Sequence, residues 1–373
     1  MPEEIYSPGL EGVIAGETAI STIAGGLQYR GYSIEDLAED AIFEEVAYLV
    51  LHGELPKRKE LDDLRERLGA ASRIAPEIID FLAKVPPKAS MMDVLRSGAS
   101  LLAHWDEEVG DNSREANLRK SERLLAQLPV VMGARHRLRD GKTVIDPDPT
   151  LSIAGNILWM STGKRPTERI EHAMDVTLIL YAEHEFNAST FTSRVVASTL
   201  SDLHSAISAA IGALKGPLHG GANERVMDVL NEVGSPANAE KWVRDALANK
   251  VRIMGFGHRV YKTGDPRASF LKSLCAELAE ETGNQDMEQI ADTIEGIVTS
   301  EKGLPPNLDW PSARLYYYLG LPVDLYTPLF VLSRVTGWCA HVIEQHANNR
   351  LIRPRARYIG PAARDLVPLG DRG

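Results

Sequence analysis

The chain has 373 residues, 44% of them hydrophobic and 25% charged, with a formal net charge of −11. This length suits a globular protein of two domains or lobes, and the negative charge argues against nucleic acid as a partner, because phosphate binding needs a basic surface. The sequence shows no secretory signal, and its apolar runs fall short of the roughly 18–20 residues that cross a bilayer, so we expect no membrane partner. The two distant cysteines form no metal-binding spacing, so we expect a cytoplasmic protein.

Helical signals begin early in the chain. Ser33, three residues before Asp36, forms a capping-box pattern that predicts a helix start. Apolar residues at 43, 46, 47 and 50 have helical spacing and predict a buried helix face, which Gly53 ends. Leucines at 61, 64 and 68 repeat the pattern in the next predicted helix.

Two later stretches predict helices of the core. Residues 202–217, DLHSAISAAIGALKGP, are rich in small side chains that allow close helix packing. Residues 326–346, YTPLFVLSRVTGWCAHVIEQH, are apolar on nearly all sides, which is typical of a buried helix. Here Thr327 is the predicted N-cap and Pro328 the first helical residue.

Strand patterns are hard to find in the sequence, and it has neither the strand–helix rhythm of a parallel sheet nor a solenoid repeat. The sequence therefore predicts an all-α fold. Its character changes near 220–225 and again near 320. A charged helical stretch and a glycine-rich loop lie between these points, which predicts a smaller lobe inserted into a larger one.

Ionisable residues stand among glycines and prolines in four segments. These are AEHEFNASTF with His184, LKGPLHGGANE with His219, GFGHRVYKTGDPR with His258 and Arg267, and PPNLDWPSARLYYY with Asp309. Glycines let a backbone approach a ligand closely and leave an adjacent imidazole uncovered. A histidine satisfied in a loop between helices is the alternative for each segment taken alone.

Standard motifs do not account for these segments. HEFNA lacks the second histidine of HExxH, STGKRP lacks the first glycine of a P-loop, and GFGHRV lacks the third glycine of a dinucleotide fingerprint. A zinc hydrolase using the three histidines and Asp309 stays possible on ligand types alone, although the spacings do not favour it.

Arginines indicate an anionic ligand. Arg334 lies inside the apolar helix, where a charge is costly unless it is paired. Together with Arg267 and Arg353 it suggests a small polycarboxylate, since arginine holds carboxylates in bidentate geometry. The alternative for Arg334 is a structural ion pair. For the other arginines of residues 350–357 a solvated basic tail is the favoured interpretation.

At these residues the sequence resembles the citrate synthase family. The segments GPLHGGANE, MGFGHRVYKTGDPR and PNLDWPSARLYYYLG are similar to the family's active-site segments, and LFVLSRVTGWCAHVIEQ and NNRLIRPRARYIG to its C-terminal ones. The resemblance covers about residues 8–367. It implies an all-α fold with a large domain of residues 1–222 plus 321–373, a small mobile domain of residues 223–320, and a homodimer.

The resemblance also implies a role for each site residue. Asp309 would take a proton from an acyl-CoA thioester, His219 would stabilise the enol, and His258 would protonate the alkoxide formed from oxaloacetate. Oxaloacetate would be bound by His184, Arg267, Arg334, the partner subunit's Arg353 and, as a further candidate, Arg30. The alternative for Arg30 is pairing to Glu35 or Asp36. CoA would be bound by Arg252, Ile253, Met254, Gly255, Phe256 and Lys262. No metal or other cofactor is implied.

The acyl group is left open. Citrate synthase of the tricarboxylic acid cycle uses acetyl-CoA, whereas 2-methylcitrate synthase uses propionyl-CoA, and the same residues serve both. The segments YSPGLEGVIAGETAIS and CAHVIEQHANNRLIRPR are similar to both kinds of enzyme, and Trp310 and Pro311 depart from the usual family pattern. Dual activity and a non-catalytic helical scaffold are further alternatives. Exclusion of water from the enol predicts domain closure, with Gly216, Gly220 and Gly221 as hinge candidates.

Overall fold

The computed structural model describes residues 6–258, Tyr261 and residues 264–372. Sixteen α-helices occur in this described part of the chain. In chain order they are α1 Ile34–Asp40, α2 Phe43–His52, α3 Arg58–Ala71, α4 Pro76–Lys84, α5 Met91–Leu102, α6 Arg114–Arg139, α7 Ile153–Thr162, α8 Glu168–Tyr181, α9 Ala188–Ala197, α10 Leu203–Leu214, α11 Ala222–Val233, α12 Pro236–Ala248, α13 Pro266–Thr282, α14 Gln285–Lys302, α15 Asp309–Tyr318 and α16 Tyr326–Ala347.

Among the described residues, the strands form one small sheet before α1. Its strands β1 Ser21–Thr22, β2 Gln28–Tyr29 and β3 Tyr32–Ser33 are antiparallel in the order β1-β2-β3, with Tyr29 opposite both Ser21 and Tyr32. Short 3₁₀ turns occupy Pro8–Leu10, Ala103–Trp105, Val323–Leu325 and Leu369–Asp371. The prediction of an all-α fold is confirmed.

Local sequence signals act as predicted in the first helices. The Ser33 side chain accepts the main-chain N–H of Asp36 at the start of α1. The apolar face of α2 is buried, and Gly53 ends the helix with a φ of 104°, a left-handed conformation that glycine adopts without strain. The three leucines of α3 are buried as well.

The predicted cap of the last long helix is wrong. Helix α16 begins at Tyr326, with Leu325 as its N-cap, because a 3₁₀ turn leads directly into it. The hydroxyl of Thr327 donates to Oε1 of Glu224 at 2.5 Å instead of capping the helix. A contact with a residue about a hundred positions away therefore replaces the local bond that the sequence suggested.

The core is built around α16, which packs against α6, α8, α9 and α10. Ala206 and Ala210 of α10 are buried, and the helix lies against α5 and α9, as expected for a packing helix. Helices α11–α15 pack mainly on one another and also contact α16 and α8. This arrangement is compatible with an inserted lobe at residues 223–320, and the domain division stays a prediction. No helix in the described part combines the length and hydrophobicity needed to cross a membrane.

Candidate active site

The carboxyl end of α8 organises the candidate site. The last four carbonyls of a helix lack intrahelical N–H partners. In α8 each of them accepts a side-chain donor from another segment, and the donor–acceptor pairs are Ser333–Leu178, Tyr29–Ile179, Arg267–Leu180 and Arg334–Tyr181. The negative end of a helix dipole favours cations, so this helix end brings two arginines from α13 and α16 together.

Arg334 is a buried cation whose charge no carboxylate balances directly. Its Nε donates to the carbonyl of Tyr181 at 2.6 Å, and its Cζ lies 4.6 Å from the centre of the Phe330 ring. No carboxylate of the described residues forms an ion pair with it, so the structural ion pair left open by the sequence is not found there. Burial lowers the pKa of Arg334 to about 10, although the more distant Glu183 opposes the shift. An anionic ligand would relieve this cost.

Arg267 is buried at the start of α13 and forms a bidentate ion pair with Asp265. The Nε–Oδ1 distance is 2.9 Å and the Nη2–Oδ2 distance is 2.8 Å. Burial acts to lower the pKa of Arg267, but Asp265 outweighs it and raises the pKa above its ordinary value. Oδ2 of Asp265 also accepts the N–H of Leu308 at 3.2 Å. The pair therefore connects α13 to the residue that precedes Asp309.

Asp309 is the first residue of α15, and its carboxylate reaches the end of α8. Its Oδ1 accepts the hydroxyl of Tyr181 at 2.9 Å, and the same hydroxyl lies 2.8 Å from Oγ of Ser312. Burial raises the pKa of Asp309, while the bond from Tyr181 opposes part of the shift. A carboxylate with a raised pKa is a stronger base.

His219 is held by the first turn of α9. Its Nε2 accepts the main-chain N–H of Ser189 at 3.2 Å and lies 2.8 Å from the Oγ of the same serine, which accepts the indole N–H of Trp338 at 3.1 Å. Burial, followed by the charge of Arg334, lowers the pKa of His219 to about 4. The ring is therefore neutral at pH 7, with Nε2 as acceptor and the ring proton on Nδ1.

The backbone after His219 requires glycine. A Cβ on Gly220 would overlap the carbonyl oxygen of Leu214, and Gly221 has a left-handed φ of 77° at the start of α11. These two positions turn the chain sharply between α10 and α11, which leaves the imidazole of His219 half-exposed beside Phe330, 6.4 Å away between ring centres.

His184 and His258 meet at Tyr261. The hydroxyl of Tyr261 lies 3.1 Å from Nε2 of His184, and its ring stacks on that of His258 with centres 4.7 Å apart. The two histidine rings are 5.4 Å apart. Burial, followed by the charges of Arg267 and Arg334, lowers the pKa of His184 well below its ordinary value, so this ring is also neutral at pH 7.

Four site residues were missed by the sequence analysis: Tyr181, Ser189, Tyr261 and Phe330. Tyr181 and Phe330 stand in apolar helical stretches, where an aromatic residue is indistinguishable from a core residue. Ser189 and Tyr261 lie in the histidine-containing segments HEFNAST and GHRVYK. Their position near a histidine was a signal that could have identified them as site residues. Their contacts link the three histidines and Asp309 to the fold.

Two predicted oxaloacetate ligands, Arg30 and Arg353, form none of the contacts given above within the described part of the chain. Arg30 donates to the carbonyls of Ala19 and Val50 at 3.1 and 2.9 Å. Its guanidinium therefore binds main-chain carbonyls of the N-terminal region. Neither Glu35 nor Asp36 pairs with it in the described structure. Arg353 is exposed in the extended C-terminal segment, so a role for it depends on a second chain.

The predicted CoA loop packs on the start of α15. A Cβ on Gly255 would lie 2.9 Å from the Val226 side chain and 3.0 Å from the Trp310 ring, and Phe256 packs on Trp310 with ring centres 4.6 Å apart. Ile253 is buried, whereas Arg252 is exposed and Met254 is partly exposed. Lys262 lies outside the described residues.

Trp310 is fully buried. Its ring lies between Gly255, Phe256 and the guanidinium of Arg314. It also lines a pocket formed by α13, α14 and α15, and Asp309 is not among the residues that line this pocket. As for metals, no group of three or more His, Cys, Asp or Glu side chains in the described part is arranged to hold an ion.

Known proteins are similar to this chain over nearly its whole length. Residues 9–355 match the family model described as citrate synthase, C-terminal domain. The chain is 48% identical to citrate synthase 2 of Bacillus subtilis over 98% of both chains. It is 44% identical to 2-methylcitrate synthase 2 of Corynebacterium glutamicum, over 98% of this chain and 97% of the relative. A solved ternary complex of Thermoplasma acidophilum citrate synthase with carboxymethyl coenzyme A and oxaloacetate has a TM-score of 0.92 and 37% identity, covering 99% of this chain and 100% of that one. The resemblance seen in the sequence is confirmed: the chain is an enzyme that belongs to the citrate synthase family.

Proposed function

We propose that the enzyme condenses acetyl-CoA with oxaloacetate and water to give citrate and CoA. The alternative is a 2-methylcitrate synthase that uses propionyl-CoA, or an enzyme that accepts both donors, and relatives with each name support it. The observation that carries the proposal is the meeting of Asp309, two neutral histidines and two buried guanidiniums at the carboxyl end of α8.

Oxaloacetate would bind first to Arg334, Arg267 and His184. The ion pair of Arg267 with Asp265 has no net charge. Arg334 therefore supplies the positive charge that a dicarboxylate needs, and the Arg267 fork and the His184 ring add hydrogen-bond donors. Neither substrate needs a resident metal here, because these side chains supply the charge, and no other cofactor is proposed.

Enolisation would use Asp309 and His219 together, since the carbon next to a thioester is a very weak acid. The Asp309 carboxylate takes the proton from that carbon. The Nδ1–H of neutral His219 donates to the thioester oxygen, where negative charge develops. The bond from Ser189 to Nε2 keeps the ring proton on the nitrogen that faces away from it.

Carbon–carbon bond formation would then use His258. The enol carbon attacks the ketone carbon of oxaloacetate, and the ketone oxygen takes a proton from His258. The main-chain N–H of Tyr261 donates to Nδ1 of His258 at 3.3 Å, so Nε2 is the ring nitrogen that would donate the proton. Water finally attacks the thioester carbonyl, and CoA leaves as a thiol while a new carboxylate forms.

A second chain would complete the site. We propose a homodimer in which Arg353, exposed in its own chain, binds the oxaloacetate held by its partner. We also propose that residues 223–320 act as a small mobile domain, with Gly216, Gly220 and Gly221 as hinge residues and with CoA bound along residues 252–256 and Lys262. The roles assigned to Ile253, Gly255 and Phe256 are then main-chain roles.

Release of free thiol tests the function. The enzyme is mixed with oxaloacetate and either acetyl-CoA or propionyl-CoA, and kcat/KM is compared, with oxaloacetate omitted as the control. We expect oxaloacetate-dependent thiol release. Acetyl-CoA and propionyl-CoA differ by one methylene group, which changes kcat/KM by about 10–200-fold in a pocket that distinguishes them. Preference for propionyl-CoA would favour the 2-methylcitrate alternative. Release from neither thioester would contradict the proposed function.

A further inference from the structure

Tyr261 touches three of the residues proposed to act on oxaloacetate. Its hydroxyl lies 3.1 Å from Nε2 of His184, its ring stacks on His258 at 4.7 Å with planes 28° apart, and Cζ of Arg267 lies 5.7 Å from the centre of its ring. It also stands edge-on to the ring of His184, with centres 5.6 Å apart. One side chain thus connects the binding groups with the proposed acid.

The direction of the bond between Tyr261 and His184 follows from their pKa values. Burial raises the pKa of Tyr261 to about 12, so the phenol keeps its proton at neutral pH. The lowered pKa of His184 keeps that ring neutral. The phenol therefore donates, His184 accepts at Nε2, and the ring proton of His184 lies on Nδ1. The hydroxyl fixes both the tautomer and the ring plane of His184.

The ring of Tyr261 has a separate task. It covers one face of His258 in a stacked arrangement, while the main-chain N–H of the same residue binds Nδ1 of that histidine. The guanidinium of Arg267 also lies near the face of the Tyr261 ring. The face of an aromatic ring attracts a cation. Loss of the hydroxyl and loss of the ring should therefore have different effects.

We propose that Tyr261 is a positioning residue of the condensation reaction: its hydroxyl orients His184 for oxaloacetate binding, and its ring holds His258 in line with the ketone oxygen. The proposal rests on the proposed function. Tyr261 itself touches no reacting atom, so it acts only through the two histidines.

The test separates the two parts with Tyr261→Phe and Tyr261→Leu, and the exposed tyrosine in Tyr317→Phe serves as the matched control. Loss of one hydrogen bond in Tyr261→Phe should raise KM and the calorimetric Kd for oxaloacetate by about tenfold. Its kcat should stay within about threefold of the wild type, because the ring remains. Tyr261→Leu should in addition lower kcat by about tenfold or more. KM for the acyl-CoA thioester should not change in any variant.

Unchanged KM and Kd for oxaloacetate in Tyr261→Phe would overturn the proposal. Equal losses in KM for both substrates, together with a lower melting temperature, would also overturn it, because they indicate a merely structural role. A wild-type enzyme that binds oxaloacetate but releases no thiol would contradict the proposed function alone, and the oxaloacetate Kd of Tyr261→Phe would still test the positioning of His184.

Discussion

Two fully buried arginines contrast the cost of a charge with and without a partner. Arg314 donates from Nε to Oε1 of Glu288 at 2.6 Å, and Tyr318 donates to the same oxygen. Arg334 donates to a carbonyl and lies over Phe330. Glu288 balances the first charge, whereas the second is kept at a cost that an anionic substrate would offset.

Replacement by methionine should therefore act in opposite directions at the two sites. We expect Arg314→Met to lower the free energy of unfolding by about 3–5 kcal/mol, because it leaves the Glu288 carboxylate unpaired. Arg334→Met should raise the free energy of unfolding by about 1 kcal/mol or more while abolishing oxaloacetate binding. Chemical denaturation and calorimetry with oxaloacetate measure these effects.

The pH dependence of stability tests whether the charge of Arg334 destabilises the folded state. The folded-state pKa of Arg334 is lowered to about 10, so the cost of its charge is present at neutral pH and fades as pH rises through about 10. The stability gap between Arg334→Met and the wild type should therefore narrow above pH 10. If Arg334→Met is less stable than the wild type at pH 7, this result would contradict the inference that the charge of Arg334 is unpaired and destabilising.

Most candidate site residues could be identified from the sequence because glycines and prolines surround them. The sequence alone singled out His184, His219, His258 and Asp309, and it identified Arg334 because a charge within an apolar helix is unusual. Tyr181 carries no such signal. Its bond to Asp309 joins residues 128 positions apart, so it depends on the packing of α8 against α15 and cannot be inferred from local patterns.

Among the elements, α16 shows how close packing and buried polar groups depend on each other. Gly337 lets α16 approach the segment that follows α8, where its N–H donates to the carbonyl of Ala182 at 3.2 Å. The nearby carboxylate of Glu183 is fully buried and accepts from Ser21 and from His341, both at 2.9 Å. A side chain at residue 337 has no space between these groups.

Gly337→Ala tests this contact. The added Cβ would overlap Oε2 of Glu183 and lie 2.5 Å from the carbonyl oxygen of Ala182, so we expect a loss of about 1–3 kcal/mol in the free energy of unfolding. Gly296→Ala on the exposed face of α14 is the matched control. Nothing lies within 4 Å of its added Cβ, and alanine should stabilise that helix by about 0.5–1 kcal/mol. Equal thermal melts for the two variants would contradict the account.

Helix boundaries were predictable where the capping bond is local and failed where it is not. Ser33 caps α1 as its sequence suggests, but Thr327 bonds to Glu224 on α11, and α16 starts earlier. The small sheet before α1 has strands of only two residues, too short for an alternating pattern to form in the sequence. Helix type was therefore predictable, whereas these details depend on tertiary contacts.

The fold of the whole molecule brings the candidate site together from residues that are distant in the sequence. Asp309 stands on α15, His219 follows α10, and Arg334 belongs to α16. Arg353 lies in the exposed C-terminal segment. Membership of the citrate synthase family could be read from the sequence, because five segments match in order. The domain division and the dimer stay proposals.

The most direct test is thiol release by two variants and by their mixed dimer. Asp309→Asn removes the proposed base, and we expect kcat to fall about 10²–10⁴-fold while oxaloacetate still binds. Arg353→Ala should raise KM for oxaloacetate. The two chains are co-expressed with different tags, and the mixed dimer is purified. One of its two sites keeps both Asp309 and the partner's Arg353, so about half of the wild-type activity should return. A wild-type kcat in Asp309→Asn would contradict the proposed role of Asp309 as the base, and no recovery in the mixed dimer would contradict the shared site.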